Sequence, residues 1–203
     1  MTRELTVGLA QFSPAHLDVK RCMDKIGAIV SQAKGEKVQL LVMGETWLSG
    51  YPAWIDHCKN VAEWDNENMK DVFQKFYLNS VTIDGPEINQ MKEMARDARQ
   101  GIVIGINERI ESGKGNGTVY NSVITIGSDG QLLNHHRKLV PTFTEKMLYG
   151  QGDGMGLKAV DTEFGRLGAS ICWEHWMPLT RQALHDSGEH IHVALWPNVH
   201  EML

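Results

Sequence analysis

A chain of 203 residues, 42% hydrophobic and 22% charged, has the size and composition of one globular domain with a real core. A formal charge of −5 with no Lys/Arg cluster excludes a nucleic-acid footprint, and no run approaches the ~18 apolar residues of a membrane span. The three cysteines, Cys22, Cys58 and Cys172, form no disulfide framework, and Met1-Thr2-Arg3-Glu4 passes into a strand pattern without a signal-peptide apolar region, so the expectation is a cytoplasmic protein.

Leu5–Phe12 alternates Leu5, Val7 and Leu9 with small residues, which predicts a strand packed on both faces. Asp18 can cap a helix whose apolar stripe is Val19, Cys22, Met23, Ile26, Ile29, Val30 and Ala33, with Gly35 as its stop. Cys22 falls on that stripe and reads as core. Val38–Met43 is a nearly continuous apolar run, as in a central parallel strand, and strand–helix–strand order implies a right-handed crossover. Glu45 stands at the end of this strand. A solvated strand-end carboxylate is its plain reading. The loop Thr46–Asp65 that follows carries Trp47, Tyr51, Trp54 and Trp64, which suit a pocket wall or a loop packed on its own side chains.

Asn66–Asn79 reads as helical, and Pro86 at the first helical position opens another helix that Gly101 is expected to end. Ile102–Ile106 is the next buried strand. Ser112–Gly117 lacks the Gly-Lys-Ser/Thr ending of a phosphate loop and reads as a hairpin connection. Val119–Ile126 and Gln131–Arg137 form a hairpin about Asp129-Gly130. The run His135-His136-Arg137-Lys138 at its end is what a solvated basic edge looks like. Leu139–Gly156 is a long loop of the kind that tends to be functional. Leu157–Thr162 and Arg166–Cys172 form a second hairpin, Pro178–Ser187 a helix closed by Gly188, and His190–Trp196 a last strand ending at Pro197-Asn198.

Strands alternating with helices, with hairpins between, predict an α/β fold with a mixed sheet or two packed sheets. Glu45, Lys138 and Cys172 end three separate strands. Cys172, ahead of a helix start, lies where open α/β sheets put ligands, though an inert buried thiol reads equally well there. A carboxylate, an ammonium and a thiol together permit acyl transfer, with a base for thiol and water and a cation that lowers the thiol pKa. The lysine and the Trp173 backbone N–H can stabilise the charge that develops on the intermediate.

The segments Val7–Phe12, Gly44–Pro52, His136–Thr142, Gly150–Asp153, Ile171-Cys-Trp-Glu-His175 and Ala194–Pro197 resemble the nitrilase branch of the carbon–nitrogen hydrolases. The resemblance runs from Val7 to the last residues, as one domain over 1–203. It implies an α-β-β-α sandwich, with Glu45 as general base, Lys138 as the cation that stabilises the intermediate and Cys172 as nucleophile. It makes Glu145 a second active-site glutamate that positions substrate and supports the lysine. Tyr51, Trp173 and Trp196 join Glu145 as candidate substrate-positioning residues, although core packing explains the two tryptophans as well. Glu174 reads as a structural ion-pair or hydrogen-bond partner and His175 as a positioning residue. His190 and His192 have His-X-His spacing but no third ligand fixed by sequence, so no zinc is expected there, and the resemblance implies a reaction that needs no metal or organic cofactor.

The implied reaction converts an organic nitrile to carboxylic acid and ammonia through a thioimidate and a thioester. Cyanide, an amide or an N-carbamoyl compound are the alternative substrates. Members of this branch are usually longer, so the sandwich is expected to be incomplete at the C-terminus. A full-length homo-oligomer is implied, and an inactive domain with only a subunit-interaction role is the non-enzymatic alternative.

Overall fold

The computed structural model describes residues 4–197. Met1-Thr2-Arg3 and residues 198–203, including the Asn198 expected to follow the last strand, lie outside the described residues.

Two sheets form the centre. The first has strand order β1 (Val7–Leu9), β2 (Leu40–Val42), β3 (Gly101–Arg109), β4 (Val119–Ile126) and β5 (Leu132–Arg137). β1, β2 and β3 run parallel, and β3, β4 and β5 form an antiparallel meander. The second sheet has β6 (Val160–Thr162), β7 (Gly165–Ile171) and β8 (Ile191–Leu195), with β7 and β8 parallel. Helices α1 (Val19–Gly35) and α3 (Pro86–Ala98) cover the outer face of the first sheet through Cys22, Ile26, Met91 and Ala95, which pack on Met43, Ile104 and Ile124. Leu40, Val103 and Val123 of the first sheet meet Leu167, Ala169, Ile171 and Val193 of the second. Helix α4 (Pro178–Asp186) lies outside the second sheet, its buried Leu184 close against Gly168 of β7. The layers are thus α-β-β-α. Helix α2 (Glu67–Leu78) packs Phe76 on Ile55, Val119 and Tyr149 at one end.

Local chemistry sets most boundaries as expected. Asp18 caps α1 by accepting from the Arg21 backbone N–H, and Asn66 caps α2 through Met69. Three boundaries differ. α3 ends at Arg99, which takes the left-handed conformation (φ 56°), and Gly101 already belongs to β3. β7 stops at Ile171, so Cys172 is the first residue of a 3-10 turn, Cys172–Trp176, that intervenes before α4. β1 is a short edge strand with Val7 and Leu9 exposed, not a strand packed on both faces. Gly8 presses closely on Val38 and Leu41 toward the helices, while the second sheet covers β2, β3 and β4 and stops short of β1.

The basic run His135–Lys138 is not a solvated edge. His136 and Lys138 are fully buried, while His135 and Arg137 pair with buried Glu108. Glu108 also accepts from Ser122, and these partners outweigh its burial and hold its carboxyl down at about 2. Of the four loop aromatics, Trp47 is core, Trp54 packs edge-on to Phe76, Trp64 is exposed, and only Tyr51 reaches the charged cluster described next.

Candidate active site

The ends of three strands and one loop bring Glu45, Lys138, Cys172 and Glu145 to one place between the sheets, each at most 4% exposed. Glu45 follows β2. Its backbone N–H donates to the carbonyl of Trp196 at the end of β8, 3.1 Å away, which stitches the two sheets together beside the carboxylate. Gly105 of β3 lets this backbone approach, since a Cβ there would strike Gly44 and Thr46. Lys138 follows β5, and its N–H donates to the carbonyl of Asn121 on β4. Glu145 sits in the 3-10 turn Phe143–Met147, where it forms a capping box with Thr142 and accepts from the Thr142 N–H at 2.8 Å.

Lys138 Nζ lies 2.8 Å from Glu45 Oε1 and 2.8 Å from Glu145 Oε2. Glu145 Oε1 also accepts from the Tyr51 hydroxyl at 2.7 Å, and Glu45 Oε1 from Asn121 Nδ2 at 2.7 Å. Glu45 Oε2 is buried with no hydrogen-bond partner among the described residues. One carboxylate oxygen is therefore fixed and the other is unengaged. Two glutamate side chains share one ammonium. Burial, set against the attraction of Lys138 and reinforced by Glu145, pushes Glu45 up to about 7. Burial works against the charge on Lys138, but the two carboxylates outweigh it and raise its pKa. Burial and the adjoining carboxylate also push the Tyr51 hydroxyl up, so it remains a donor.

Cys172 has φ 52°, in the left-handed region, and carries its thiol on a sharp strand-to-turn corner. The thiol is pushed up to about 12, by burial first and then by Glu45, with Lys138 and the Trp173 N–H acting the other way. Lys138 does pull the thiol pKa down, as expected, but burial and then the Glu45 carboxylate outweigh it, so the net shift is upward.

Glu174 is fully buried and joins the corner to the lysine strand. It accepts from His136 Nε2 at 3.0 Å, from the Leu139 N–H at 2.8 Å and from the Ile171 N–H at 2.8 Å. Its carboxyl is held below the ordinary range because these donors outweigh its burial. The two tryptophans are not drawn into the cluster by their rings. Trp173 is half-exposed against Trp176, and Trp196 stacks on His175 and reaches Glu45 through its backbone alone. His190 and His192 do not act together: His190 Nδ1 meets the Arg166 N–H, and His192 meets His175. No group of three or more His, Cys, Asp and Glu able to hold a metal occurs among the described residues.

Sequence reasoning missed Asn121. The signal was available: Asn121-Ser122 is a polar pair inside an otherwise apolar strand, and a buried polar residue needs a partner.

A family model described as carbon–nitrogen hydrolase matches residues 6–203. The chain belongs to that family. Among curated carbon–nitrogen hydrolase relatives, a "Nitrilase 2" of an unknown prokaryotic organism is 37% identical over 97% of this chain and 60% of its own length. An aliphatic nitrilase of Rhodococcus rhodochrous is 33% identical over 98% of this chain and 51% of its own. An arylacetone-specific nitrilase of Alcaligenes faecalis is 36% identical over 97% and 52%. The chain thus spans about half to three-fifths of the length of these relatives. Among solved structures, a carbon–nitrogen hydrolase of Helicobacter pylori G27 matches with TM-score 0.64 and 19% identity, over 95% of this chain and 59% of its own. An amidase of Nesterenkonia sp. matches with TM-score 0.68 and 17% identity, over 95% and 64%. At those identities the likeness is one of fold.

Proposed function

We propose that this carbon–nitrogen hydrolase is a nitrilase that hydrolyses an organic nitrile to a carboxylic acid and ammonia. The observation that carries the reading is the convergence of Glu45, Lys138 and Cys172 from three strand ends, with Glu45 Oε2 unengaged. The curated relatives' names support a nitrile over other substrates.

A thiol pushed up to about 12 beside a carboxylate near 7 is not a resting thiolate. The proton therefore leaves sulfur as the S–C bond forms, passing to Glu45 Oε2, while the nitrile π-electrons move to nitrogen. Lys138 and the Trp173 N–H stabilise the developing charge, and Glu45 hands the thiol proton on to nitrogen, which gives a thioimidate and returns Glu45 to its carboxylate. Glu45 then removes a proton from water as water adds to that carbon. The amine, once protonated, leaves as ammonia, and a thioester remains. A second water, activated by the same carboxylate, releases the acid and restores the thiol. If the first tetrahedral intermediate expels the thiol, the product is an amide. Glu145, itself held by the Tyr51 hydroxyl, holds Lys138, and the two position the substrate beside it.

Ammonia release from a panel of aliphatic nitriles, aromatic nitriles, cyanide and amides tests this reading. The unaltered chain should turn over a nitrile, and Cys172→Ala should fall to background. Equal background from both proteins would overturn it, and turnover of amides or cyanide alone would reassign the substrate. Mass spectrometry of the trapped enzyme should place the covalent adduct on Cys172, whereas an adduct on Cys58 alone would remove Cys172 as nucleophile.

A further inference from the structure

His175 lies outside the charged cluster, yet it touches the backbone that carries both nucleophile and base. Its Nδ1 is 2.6 Å from the carbonyl oxygen of Cys172. Its ring stacks on Trp196, with centroids 5.7 Å apart and planes 22° from parallel. The carbonyl of that same Trp196 accepts from the Glu45 N–H. One imidazole therefore abuts the left-handed corner of Cys172 on one side and the residue that anchors Glu45 on the other.

The imidazole is itself held by a chain. His175 Nε2 is 2.8 Å from His192 Nε2, with the rings at 88°. His192 Nδ1 is 2.9 Å from Glu189 Oε2. Glu189 reaches this place because β7 has Gly168 beneath it, where any Cβ would collide with the carboxylate. His185 of α4 stands 3.6 Å from the other Glu189 oxygen.

A proton inventory follows from the two ends. The Cys172 carbonyl and the Glu189 carboxylate only accept, so both Nδ1 atoms must carry hydrogen. The Nε2–Nε2 contact takes one more hydrogen. Three ring protons on four nitrogens satisfy every contact, so the pair shares a single positive charge. With two, a lone pair faces a lone pair or the carboxylate; with four, N–H faces N–H. Among the described residues, the only carboxylate on the pair, Glu189, sits on the His192 side. Burial above all disfavours the charged form of His175, and His192 and then Arg181 of α4 oppose it too, against the pull of the Cys172 carbonyl and Glu174.

We propose that His175 is a positioning residue for Cys172 and Glu45, kept in place by one proton shared with His192 and anchored by Glu189. The proposal rests on the hydrolase reading of Cys172 and Glu45. Its sign is fixed by the inventory. While the pair holds its third proton the corner is clamped. As pH rises and the pair loses that proton, either the Nε2–Nε2 contact or the His192–Glu189 contact becomes repulsive, and the hold on the Cys172 corner loosens.

Two readouts test it, one of them independent of turnover. In the histidine-labelled chain, ring-nitrogen NMR should show three protons on the pair at pH 6, two at the alkaline end, and His175 Nδ1 protonated throughout. Glu189→Gln, which keeps the shape, should move this titration to lower pH. Two neutral rings at pH 6, or no shift with Glu189→Gln, would overturn the proposal even if the chain releases no ammonia. In the pH profile of kcat/KM, the unaltered enzyme should fall on the alkaline side. His192→Gln, neutral at every pH but offering an amide N–H to His175, should lose that limb and keep the acid limb. His175→Ala should lower kcat by about 10²-fold, the scale of an ångström-size misplacement. The same alkaline limb in His192→Gln as in the unaltered enzyme would also overturn it. Failure of catalysis with the predicted ring protonation intact would instead count against the nitrilase reading.

Discussion

At the scale of single residues, Glu45 shows how position converts an ordinary carboxylate into a base. Asn121 and Lys138 both occupy Oε1, which leaves Oε2 unengaged. Burial raises the group to about 7, so at neutral pH it can both take and return a proton. The rate should therefore have an acid limb: activity is lost as pH falls through about 7 and Glu45 is protonated. Asn121 donates to the charged form and so lowers the pKa. Asn121→Leu should move the acid limb to higher pH; a rise of about one pKa unit would reduce kcat/KM at pH 7 roughly fivefold, since the ionised fraction falls from about one half to about one eleventh. A pH profile with an unmoved limb in this variant would show that Asn121 does not tune the base.

Among elements, the site depends on strand ends being locked to one another. Glu174 fastens the residue after Lys138 to the residue before Cys172 while pairing with buried His136. The acceptor capacity of one carboxylate thus joins β5 to β7. Glu174→Ala would leave an imidazole and two N–H groups buried without acceptors. Breaking a buried pair in this way should cost about 3–5 kcal/mol, read as a lowered denaturation midpoint. Activity should fall with it, because the lysine and the nucleophile lose their common tether. A variant that unfolds at the unaltered midpoint would mean that the Lys138 and Cys172 strands hold their positions without this link. Glu108 performs a similar service away from the chemistry, tying β3 to β4 and β5 through Ser122, His135 and Arg137.

For the molecule as a whole, the four layers are in place but the first sheet extends beyond the second. β1 exposes Val7 and Leu9, and Leu9, Phe12, Val42 and Trp196 line an open cleft of about 320 Å³ where β1 and β8 both end their sheets. Edge strands with exposed apolar residues promote pairing between chains. The chain should self-associate as its concentration rises, in sedimentation or light scattering. Leu9→Lys should suppress this while leaving the melting temperature within a few degrees, because Leu9 is already 70% exposed. Undiminished association in that variant would move the interface elsewhere. Among the described residues no helix is long and apolar enough to cross a membrane.

The sequence by itself determined the elements and the reactive residues, because these are written in local chemistry. The cap at Asp18, the Val119–Ile126 and Gln131–Arg137 hairpin, and Glu45, Lys138 and Cys172 at strand ends all follow from near neighbours in the chain. Motif resemblance added Glu145 and the family, since fixed spacings survive in the string of residues. Electrostatics was decided only by the tertiary structure. Lys138 alone looks like a cation that acidifies a thiol, and only the fold shows that burial, and then the Glu45 carboxylate, outweigh it at Cys172. Burial of His136, the reach of Asn121 to Glu45 and the His175–His192–Glu189 chain join residues 17 to 76 positions apart or link separate elements. Such contacts depend on sheet register and layer packing, which no local pattern encodes. Likewise β1 reads as a buried strand because its composition is apolar, while its exposure is set by how far the second sheet extends across the first.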